Sequence, residues 1–523
     1  MNIDDGMKII ENPYCRAENP TLTSQDATII IPSLLGYGDE LKVTLRSVLI
    51  NEPFQIILVT IDSNRGSAEK MLRTMPASKT RIQLLSIPKP NKRRQMVRAI
   101  PEVQTKITVF VDDDVSWPPR ELVWLLAVFE KDPIYGGVAT CQRLRGSGSS
   151  LFSIKRVWDF LGALYLERRN FDCAATTHVD GGMPCLSGRT SAYRTKILQD
   201  RDFTYNFTNE EWWFGKYELN ADDDNFLSRW MVTHGWETYF QYHPEVEIQT
   251  TLESNSKYLK QCVRWSRSNW RSNLTTLIQE QVVWYRQPWS TYAVYLTTLS
   301  PPALVGDLAL VVFCYYGTKD WDECSRMFTL KALALWMFVS KFIKLIGHYI
   351  RNPADFLLLP VSILFGYFHG LIKLYAAFTL DVEALNNAVW AKMVALVLDL
   401  SLPFWEQPHG APAMVLMPVI QNACGKSPED EGYKELQNLQ LTILHFVILR
   451  IYWPLLLIVG RGMIPRQIMQ DAKSGRNDFL YPSGDGTSNK CTILFLISFR
   501  LADPFYNRSH FGPKSSHLPT HRN

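Results

Sequence analysis

The stretch "TKITVFVDDDVSWP", residues 105–118, decides how the rest of the chain is interpreted. It begins with a continuous apolar run rich in β-branched residues, which is typical of a strand buried on both faces. Three aspartates, Asp112 to Asp114, follow this run directly. Adjacent carboxylates repel one another, and a bound Mg²⁺ or Mn²⁺ is a good reason for a sequence to keep them, because hard oxygen ligands suit these ions. A solvated turn after the strand is the alternative.

Two similar runs precede this stretch along the chain. They are "ATIIIPSL" (27–34) and "FQIILVTIDS" (54–63), with the helical pattern "GDELKVTLRSVLINE" (38–52) between them. Buried strands that alternate with helices predict an α/β fold with a mostly parallel sheet. Open sheets of this kind bind ligands at the carboxyl ends of their strands, where Asp62 and the 112–114 triplet are expected.

Composition sets broad limits on function. The chain has 523 residues, more than one ordinary domain, and a net charge of only +4, so nucleic acid is not an expected partner. Its nine cysteines form no C-x-x-C pair, which argues against a zinc site and a disulfide framework. The N-terminus lacks the apolar core of a signal peptide, so we expect the first half of the protein to lie in the cytosol.

The character of the sequence changes after residue 288. Apolar stretches occupy about 290–316, 330–350, 354–376, 389–404 and 440–461. Several approach the roughly 20 residues needed to cross a bilayer, which predicts transmembrane helices; a large buried helical domain is the alternative. Four spans are favoured over five, because four leave the basic tail on the cytosolic side.

A second acidic triplet, Asp222 to Asp224, opens the stretch "DDDNFLSRW" (222–230). Its ordinary role would be at the N-terminus of a helix, where acidic residues are favoured. The sharper hypothesis is a catalytic base, because sugar transfer needs a carboxylate that accepts a proton from the attacking hydroxyl. Lys92 and Arg93 follow a predicted strand and could neutralise a diphosphate; a solvated basic helix face is equally compatible with them.

Two further stretches carry chemistry. "GGMPCLSGRTSAYR" (181–194) predicts a Gly-rich loop that leads into a short strand, and it matches neither a P-loop nor a dinucleotide-binding fingerprint. "QCVRWSRSNWRSN" (261–273) places Gln261, Arg264 and Trp265 on one helix face through their i, i+3 and i+4 spacing.

Taken in order, these pieces resemble the processive family 2 β-glycosyltransferases, such as hyaluronan, chitin and cellulose synthases and fungal cell-surface polysaccharide synthases. The resemblance covers about residues 25–280 and is carried by Asp62, Lys92-Arg93, Asp112-x-Asp114, "CLSGRTSAYR", "DDDNFLSRW" and "QCVRW", which matches the family's Q-x-x-R-W. It implies a GT-A fold that uses a UDP-sugar and Mn²⁺ or Mg²⁺, with a growing β-linked glycan as the acceptor.

The resemblance also implies roles for individual residues. Asp62 would contact the uridine, Lys92 or Arg93 the diphosphate, and Asp112 and Asp114 the nucleotide and metal. Asp224 would be the general base and would act together with Asp223. The acceptor would contact Cys185, Ser187 and Gly188. The donor would also be bound by Gln261, Arg264 and Trp265. The Trp265 indole suits a sugar ring. For Trp270 and the stripe of Arg264, Arg267 and Arg271, contact with lipid headgroups or a solvated helix face is expected ahead of a substrate role.

The expected organisation is an N-terminal extension (1–24), a GT-A domain (25–256), an interface helix region (257–287), transmembrane helices (288–465) and a polar tail (466–523). We expect a multi-pass plasma-membrane protein with a cytosolic catalytic domain. Many hyaluronan synthases have spans before the catalytic domain and this chain has none, which leaves open a smaller channel or one completed by an oligomer or a partner subunit. Two alternatives also stay open: a single-addition transferase that acts on a lipid acceptor, similar to ceramide glucosyltransferases, and an inactive membrane scaffold.

Overall fold

The computed structural model describes residues 20–146, 148, 150, 153–212, 217–219, 222–300 and 302–380. In chain order the strands are β1 (Ala27–Pro32), β2 (Gln55–Ile61), β3 (Arg81–Ile87), β4 (Ile107–Val111), β5 (Val115–Ser116), β6 (Tyr135–Thr140), β7 (Gln142–Leu144), β8 (Thr190–Arg194), β9 (Glu211–Trp212), β10 (Tyr217–Glu218), β11 (Glu237–Gln241) and β12 (Ile248–Thr250).

The α-helices are α1 (Asp39–Leu49), α2 (Arg65–Leu72), α3 (Lys92–Ala99), α4 (Glu121–Lys131), α5 (Ile154–Asp180), α6 (Thr195–Leu198), α7 (Arg201–Thr208), α8 (Asp223–Thr233), α9 (Lys257–Leu274), α10 (Val283–Arg286), α11 (Pro288–Ser290), α12 (Ala303–Gly317), α13 (Glu323–Phe342), α14 (Ile346–Arg351) and α15 (Leu359–Ala377).

The main sheet has seven strands in the order β11-β6-β8-β4-β1-β2-β3. All neighbouring pairs are parallel except those of β8, which runs antiparallel to both β4 and β6. A small sheet, β5-β12-β7, and the two-stranded β9-β10 complete the described strands. The predicted α/β fold with a mostly parallel sheet is therefore confirmed.

Both faces of the main sheet are covered, as the continuous apolar runs predict. Successive side chains of β1 alternate between two buried clusters: Ile30 packs with Ile57 and Phe110 on one face, whereas Ile29 and Ile31 belong to the cluster on the other. Each isoleucine of β1 is fully buried, which stabilises the fold by about 1.5–3 kcal/mol per side chain. A strand that is buried on both faces cannot alternate apolar with polar side chains, and β1, β2 and β4 show no such alternation.

The loop that follows α5 starts at a glycine. Gly181 has φ of 73°, a left-handed conformation that ends the long helix. The chain then runs through residues 182–189 into β8, whose register on β4 pairs Thr190 with Val111. This pairing brings the Gly-rich loop to the carboxyl end of β4, beside the aspartate triplet.

The apolar region is only partly as predicted. Within the described residues, the helical stretch Pro353–Ala377 is long and apolar enough to cross a membrane. Pro288–Leu299 and Ala303–Gly317 pass the same test only as a pair, and they are bent by 96° relative to each other. A bundle of several spans is therefore not confirmed, and the stretches 389–404 and 440–461 lie outside the described residues.

Candidate active site

A lysine at the start of α3 connects the two acidic triplets. The Lys92 Nζ atom lies 2.8 Å from Asp112 Oδ1 and 3.0 Å from Asp223 Oδ2. Asp112 follows β4, whereas Asp223 is the first residue of α8, so one ammonium group joins three elements that are far apart in sequence. Two residues assigned here from the sequence to different roles thus share one cationic partner.

The Gly-rich loop completes this cluster. The Cys185 thiol donates a hydrogen bond to Asp224 Oδ2 at 3.1 Å. A Cβ atom at Gly188 would lie 2.9 Å from Lys92 Nζ and 3.4 Å from Asp223 Oδ2, so a side chain at this position would displace the ammonium group. The structure therefore brings Lys92, Asp223 and Asp224 to the same loop that the sequence assigns to the acceptor.

Burial and neighbouring charges shift the pKa values of these carboxylates in different directions. Burial raises the pKa of Asp112, but the Lys92 ammonium outweighs burial and holds this pKa below its ordinary value. Burial, together with the Asp112 charge, raises the pKa of Asp114 to about 6. Burial and the adjacent Asp223 charge also raise the pKa of Asp224. Asp224 is thus a stronger base than an ordinary aspartate, which suits a group that must accept a proton.

The members of the first triplet face different partners. Asp113 accepts a hydrogen bond from Ser33 Oγ at 2.5 Å, and its carbonyl accepts one from Thr44 Oγ1 at 3.0 Å. Asp114 Oδ2 instead accepts from the hydroxyls of Thr250 and Thr251 at 3.4 and 3.2 Å. Asp113 therefore fastens the strand end to β1 and α1, which leaves Asp112 and Asp114 as the candidate ligands, in agreement with the D-x-D spacing.

The Arg93 side chain does not face the carboxylate cluster, contrary to the prediction from the sequence. Its side chain is only 1% exposed, and it donates to Glu210 Oε2 at 2.7 Å and to the Phe207 carbonyl at 3.0 Å. Consecutive residues of a helix point about 100° apart, so Lys92 and Arg93 cannot share a ligand face. The expected contact of Arg93 with a diphosphate is corrected: this guanidinium is a buried structural partner of Glu210.

The helix α9 carries the Q-x-x-R-W residues, as predicted. Gln261 Oε1 accepts a hydrogen bond from the Glu253 amide at 3.4 Å. The Trp265 indole stacks on Tyr165 with ring centroids 4.6 Å apart. Arg264 is exposed, and its charge helps to lower the pKa of Asp112, after the larger contributions of Lys92 and Arg189, so it lies within electrostatic range of the carboxylate cluster.

The rest of this stretch faces protein. Arg267 donates to Thr379 Oγ1 at 2.9 Å, and the Trp270 indole donates to the Lys373 carbonyl at 2.9 Å. Arg271 forms an ion pair with Asp222 at 2.7 Å. The expectation that Arg267, Trp270 and Arg271 rest on lipid headgroups is therefore wrong: they fasten α9 to the end of α15 and to the residue before α8.

Two other expected site residues differ in exposure. Asp62 is exposed immediately after β2, at the same edge of the sheet as the aspartate triplet. Ser187 is only 2% exposed, and its hydroxyl accepts a hydrogen bond from the Arg189 amide at 3.4 Å. Ser187 therefore shapes the loop from within, whereas Asp62 is accessible to a ligand.

Comparison with known proteins agrees with this geometry. The family described as "Glycosyltransferase like family 2" matches residues 26–268. A "Type 2 glycosyltransferase" of Zymoseptoria tritici is 50% identical over 365 residues, covering 70% of this chain and 75% of that protein. The chain belongs to glycosyltransferase family 2. As a family 2 glycosyltransferase it is an enzyme, and its sheet is of the GT-A-like type.

More distant similarities involve smaller parts of the family 2 glycosyltransferase. "Hyaluronan synthase 2" of Bos taurus is 25% identical over 226 residues, which are 43% of this chain and 38% of that protein. Among solved structures, "Mannosyltransferase PcManGT from Pyrobaculum calidifontis in complex with GDP-Man and Mn2+" is 16% identical. The match has a TM-score of 0.38 and covers 63% of this chain and 92% of that one.

The family 2 glycosyltransferase has oxygen ligands that fit a divalent cation only in part. Within the described ranges, no group of three or more His, Cys, Asp or Glu side chains is arranged to hold a metal ion. Mg²⁺ is, however, commonly held by one or two carboxylates plus substrate phosphates and water. Asp112 and Asp114 supply such carboxylates, so their chemistry fits an ion that is bound together with a diphosphate.

Some site residues of this glycosyltransferase were missed from the sequence. Arg169 on α5 donates to the Cys185 carbonyl at 2.7 Å, and Arg189 lies between Asp114 and Trp265. Arg189 belongs to the quoted "CLSGRTSAYR" stretch, so its position was visible although its role was not. Nothing in the local pattern of α5 distinguishes Arg169 from a surface arginine.

Proposed function

We propose that this family 2 glycosyltransferase is a membrane polysaccharide synthase that transfers sugar from a UDP-sugar to a growing β-linked glycan. The observation that carries the proposal is the single cluster formed by Lys92, Asp112, Asp223 and Asp224 beneath the loop at Gly188. It combines a cation for a diphosphate, carboxylates for a divalent ion and a half-buried base within one site.

In the proposed reaction an acceptor hydroxyl attacks the anomeric carbon of the donor from the side opposite UDP. The new glycosidic bond forms as the bond between the sugar and the diphosphate breaks, which inverts the anomeric configuration. Asp224 accepts the hydroxyl proton, for which its raised pKa suits it. UDP leaves with the bonding electron pair, and Lys92 and Arg264 stabilise the additional negative charge.

Donor binding is proposed to involve residues around this cluster. Asp62 would contact the uridine, because it is exposed at the same sheet edge. Asp112 and Asp114 would hold Mn²⁺ or Mg²⁺, which neutralises the diphosphate when bound. Gln261 and Trp265 would border the sugar, with the indole face as an apolar platform. Tyr165 stacks on that indole and the central carbon of Arg189 lies 5.8 Å from its ring centroid, so a sugar would contact the indole beside these two groups.

The acceptor would lie against the loop at residues 185–188. Cys185 contacts the proposed base directly, and Gly188 leaves the space that a side chain would fill. An acceptor hydroxyl placed here is within reach of Asp224. Ser187 contributes by holding the loop, since its hydroxyl is buried.

Several exposed apolar side chains support the proposed membrane location. In α12 no residue is buried, and its Phe313 side chain is 51% exposed; Phe328 of α13 is 73% exposed. Large apolar surfaces of this kind mark contact with a membrane or a partner. Asp307 of α12 accepts hydrogen bonds from Lys341 and from Tyr367, as expected for a polar group between membrane helices.

The proposal is tested by incubating membranes that contain the full chain with individual UDP-sugars and Mn²⁺, and then sizing the product. A polysaccharide synthase yields long chains of one sugar or of an alternating pair. A single sugar attached to lipid identifies a single-addition transferase, and no product with any UDP-sugar contradicts the proposed donor.

A further inference from the structure

The backbone of Arg189 lies beside the carboxylate cluster. Its carbonyl oxygen accepts a hydrogen bond from the Asp112 amide at 3.2 Å, which extends the pairing of β8 with β4 by one step. The backbone of Arg189 is therefore fixed beside the first aspartate of the D-x-D pair. Arg189 directly follows Gly188, so its side chain is attached at the end of the proposed acceptor loop.

The Arg189 guanidinium crosses to the small sheet. Nη1 donates to Gln142 Oε1 at 3.1 Å, and Nε donates to Thr250 Oγ1 at 3.3 Å. The same Thr250 hydroxyl donates to Asp114 Oδ2 at 3.4 Å. Arg189 is thus connected through one hydroxyl to the second aspartate of the D-x-D pair, and its planar group is held at two edges.

The same guanidinium also reaches α9. Its central carbon lies 5.8 Å from the centroid of the Trp265 ring, within the range of a cation–π interaction. Tyr165 stacks on that indole with an interplanar angle of 15°. The edge of Tyr258 lies against the same indole, with ring centroids 6.3 Å apart. Of these three partners of Trp265, Arg189 is the one that also contacts the small sheet and, through its backbone, Asp112.

We propose that Arg189 is a positioning residue that orients the Trp265 indole relative to the Asp112–Asp114 carboxylates, so that the acceptor sugar and the donor are aligned. The inference rests on the proposed transferase function and assigns a residue that this function does not itself require. A lysine cannot replace Arg189 fully, because its single ammonium group lacks two donor edges in one plane. Arg189 acts through Trp265 and not on the reacting atoms.

The test compares Arg189→Met, Arg189→Lys and a matched control, Arg194→Met. Arg194 lies at the other end of β8, donates to the carbonyls of Tyr135 and Phe129 and also lies over an aromatic ring, at 5.3 Å from the Phe129 centroid. Thermal unfolding of each full-length variant first establishes that it folds. Initial rates of UDP release and of sugar transfer are then measured separately.

We expect Arg189→Met to lower sugar transfer by about threefold to tenfold, with the donor KM changed by less than about twofold. UDP release should fall less than transfer, because a donor sugar that is misaligned with the acceptor can react with water instead. Arg189→Lys should recover only part of the lost transfer, and Arg194→Met should keep the wild-type ratio of release to transfer. In a Trp265→Leu background, Arg189→Met should add no further loss.

Three results would overturn the inference: an unchanged release-to-transfer ratio in Arg189→Met, full recovery in Arg189→Lys, or a loss that multiplies with Trp265→Leu. The proposed function fails in a different way. If Trp265→Leu alone transfers sugar at the normal rate, the stacking role of the indole is wrong, and if the wild-type protein releases no UDP, the donor is wrong.

Discussion

Replacement of Asp224 by asparagine tests the proposed base directly. Asparagine has nearly the same size, so its Oδ1 can still accept from the Asn225 amide, which lies at 2.9 Å, while its Nδ2 group can donate to the Cys185 sulfur in place of the thiol bond at 3.1 Å. The group lost is therefore the proton acceptor and not a packing element. Lys92 and Asp112, on the donor side of the cluster, keep their ion pair at 2.8 Å.

The expected magnitude follows from the role of a positioned base. General base catalysis contributes about a hundredfold to ten-thousandfold, so kcat of Asp224→Asn should fall by that factor, or about 3–5 kcal/mol in activation free energy. The dissociation constant for UDP should change by less than about threefold, because a proton acceptor stabilises the transition state and not the bound donor.

The assay measures UDP release and UDP binding on the same preparation, with Asp39→Asn as a control. The Asp39 side chain is 97% exposed and, within the part of the chain that the structure describes, forms an ion pair only with Lys42, so its neutralisation should leave both quantities unchanged. The wild-type rate should also fall on acidification at a higher pH than for an ordinary aspartate, because the pKa of Asp224 is raised and only its ionised form accepts a proton. A near-normal kcat in Asp224→Asn would remove this residue from the mechanism.

Further outcomes are expected from other parts of the molecule. Arg264→Ala should slow UDP release about tenfold or more and Arg264→Lys should restore only part of it, because an ammonium cannot bridge two phosphate oxygens; normal rates in Arg264→Ala would contradict the role. Arg93→Met should destabilise the protein by about 1–3 kcal/mol in thermal unfolding, since the Phe207 carbonyl loses a buried donor and Glu210 keeps only Arg229; an unchanged Tm with weakened UDP binding would restore the donor role. The Mn²⁺ concentration for half-maximal rate should rise as the pH falls through about 6, where Asp114 becomes protonated; an unchanged requirement would exclude it as a ligand. Asn206, although exposed, should carry no glycan if the catalytic half is cytosolic, and a mass shift on treatment with a glycosidase would reverse the orientation.

The strands and their acidic ends were predictable because the signal is local. Ile29, Ile30 and Ile31 are consecutive, which only a strand covered on both faces accommodates, and Asp112 directly follows such a run. The helix α9 was predictable for the same reason, since the spacing of Gln261 and Trp265 is a property of one segment.

The predictions that were wrong concern side chains whose ion-pair or hydrogen-bond partner lies in a distant segment of the chain. A basic pair in sequence does not reveal that Arg93 points into the core toward Glu210 while Lys92 points out to two aspartates. The arginines of α9 resemble a lipid-facing stripe until Asp222 and Thr379 are placed against them. Such pairings depend on tertiary packing, and the pattern of residues within one helix does not reveal which side chains from other segments pack against it.

The most direct test of the account is metal-dependent UDP release by the purified full-length protein from a panel of UDP-sugars, measured for the wild type and for Asp224→Asn side by side. The proposed mechanism predicts release from at least one UDP-sugar, its loss when a chelator removes the divalent cation, its recovery with Mn²⁺, and a rate at least about a hundredfold lower in the variant. Equal rates in the two proteins, or release that is indifferent to the chelator, would contradict the proposed site.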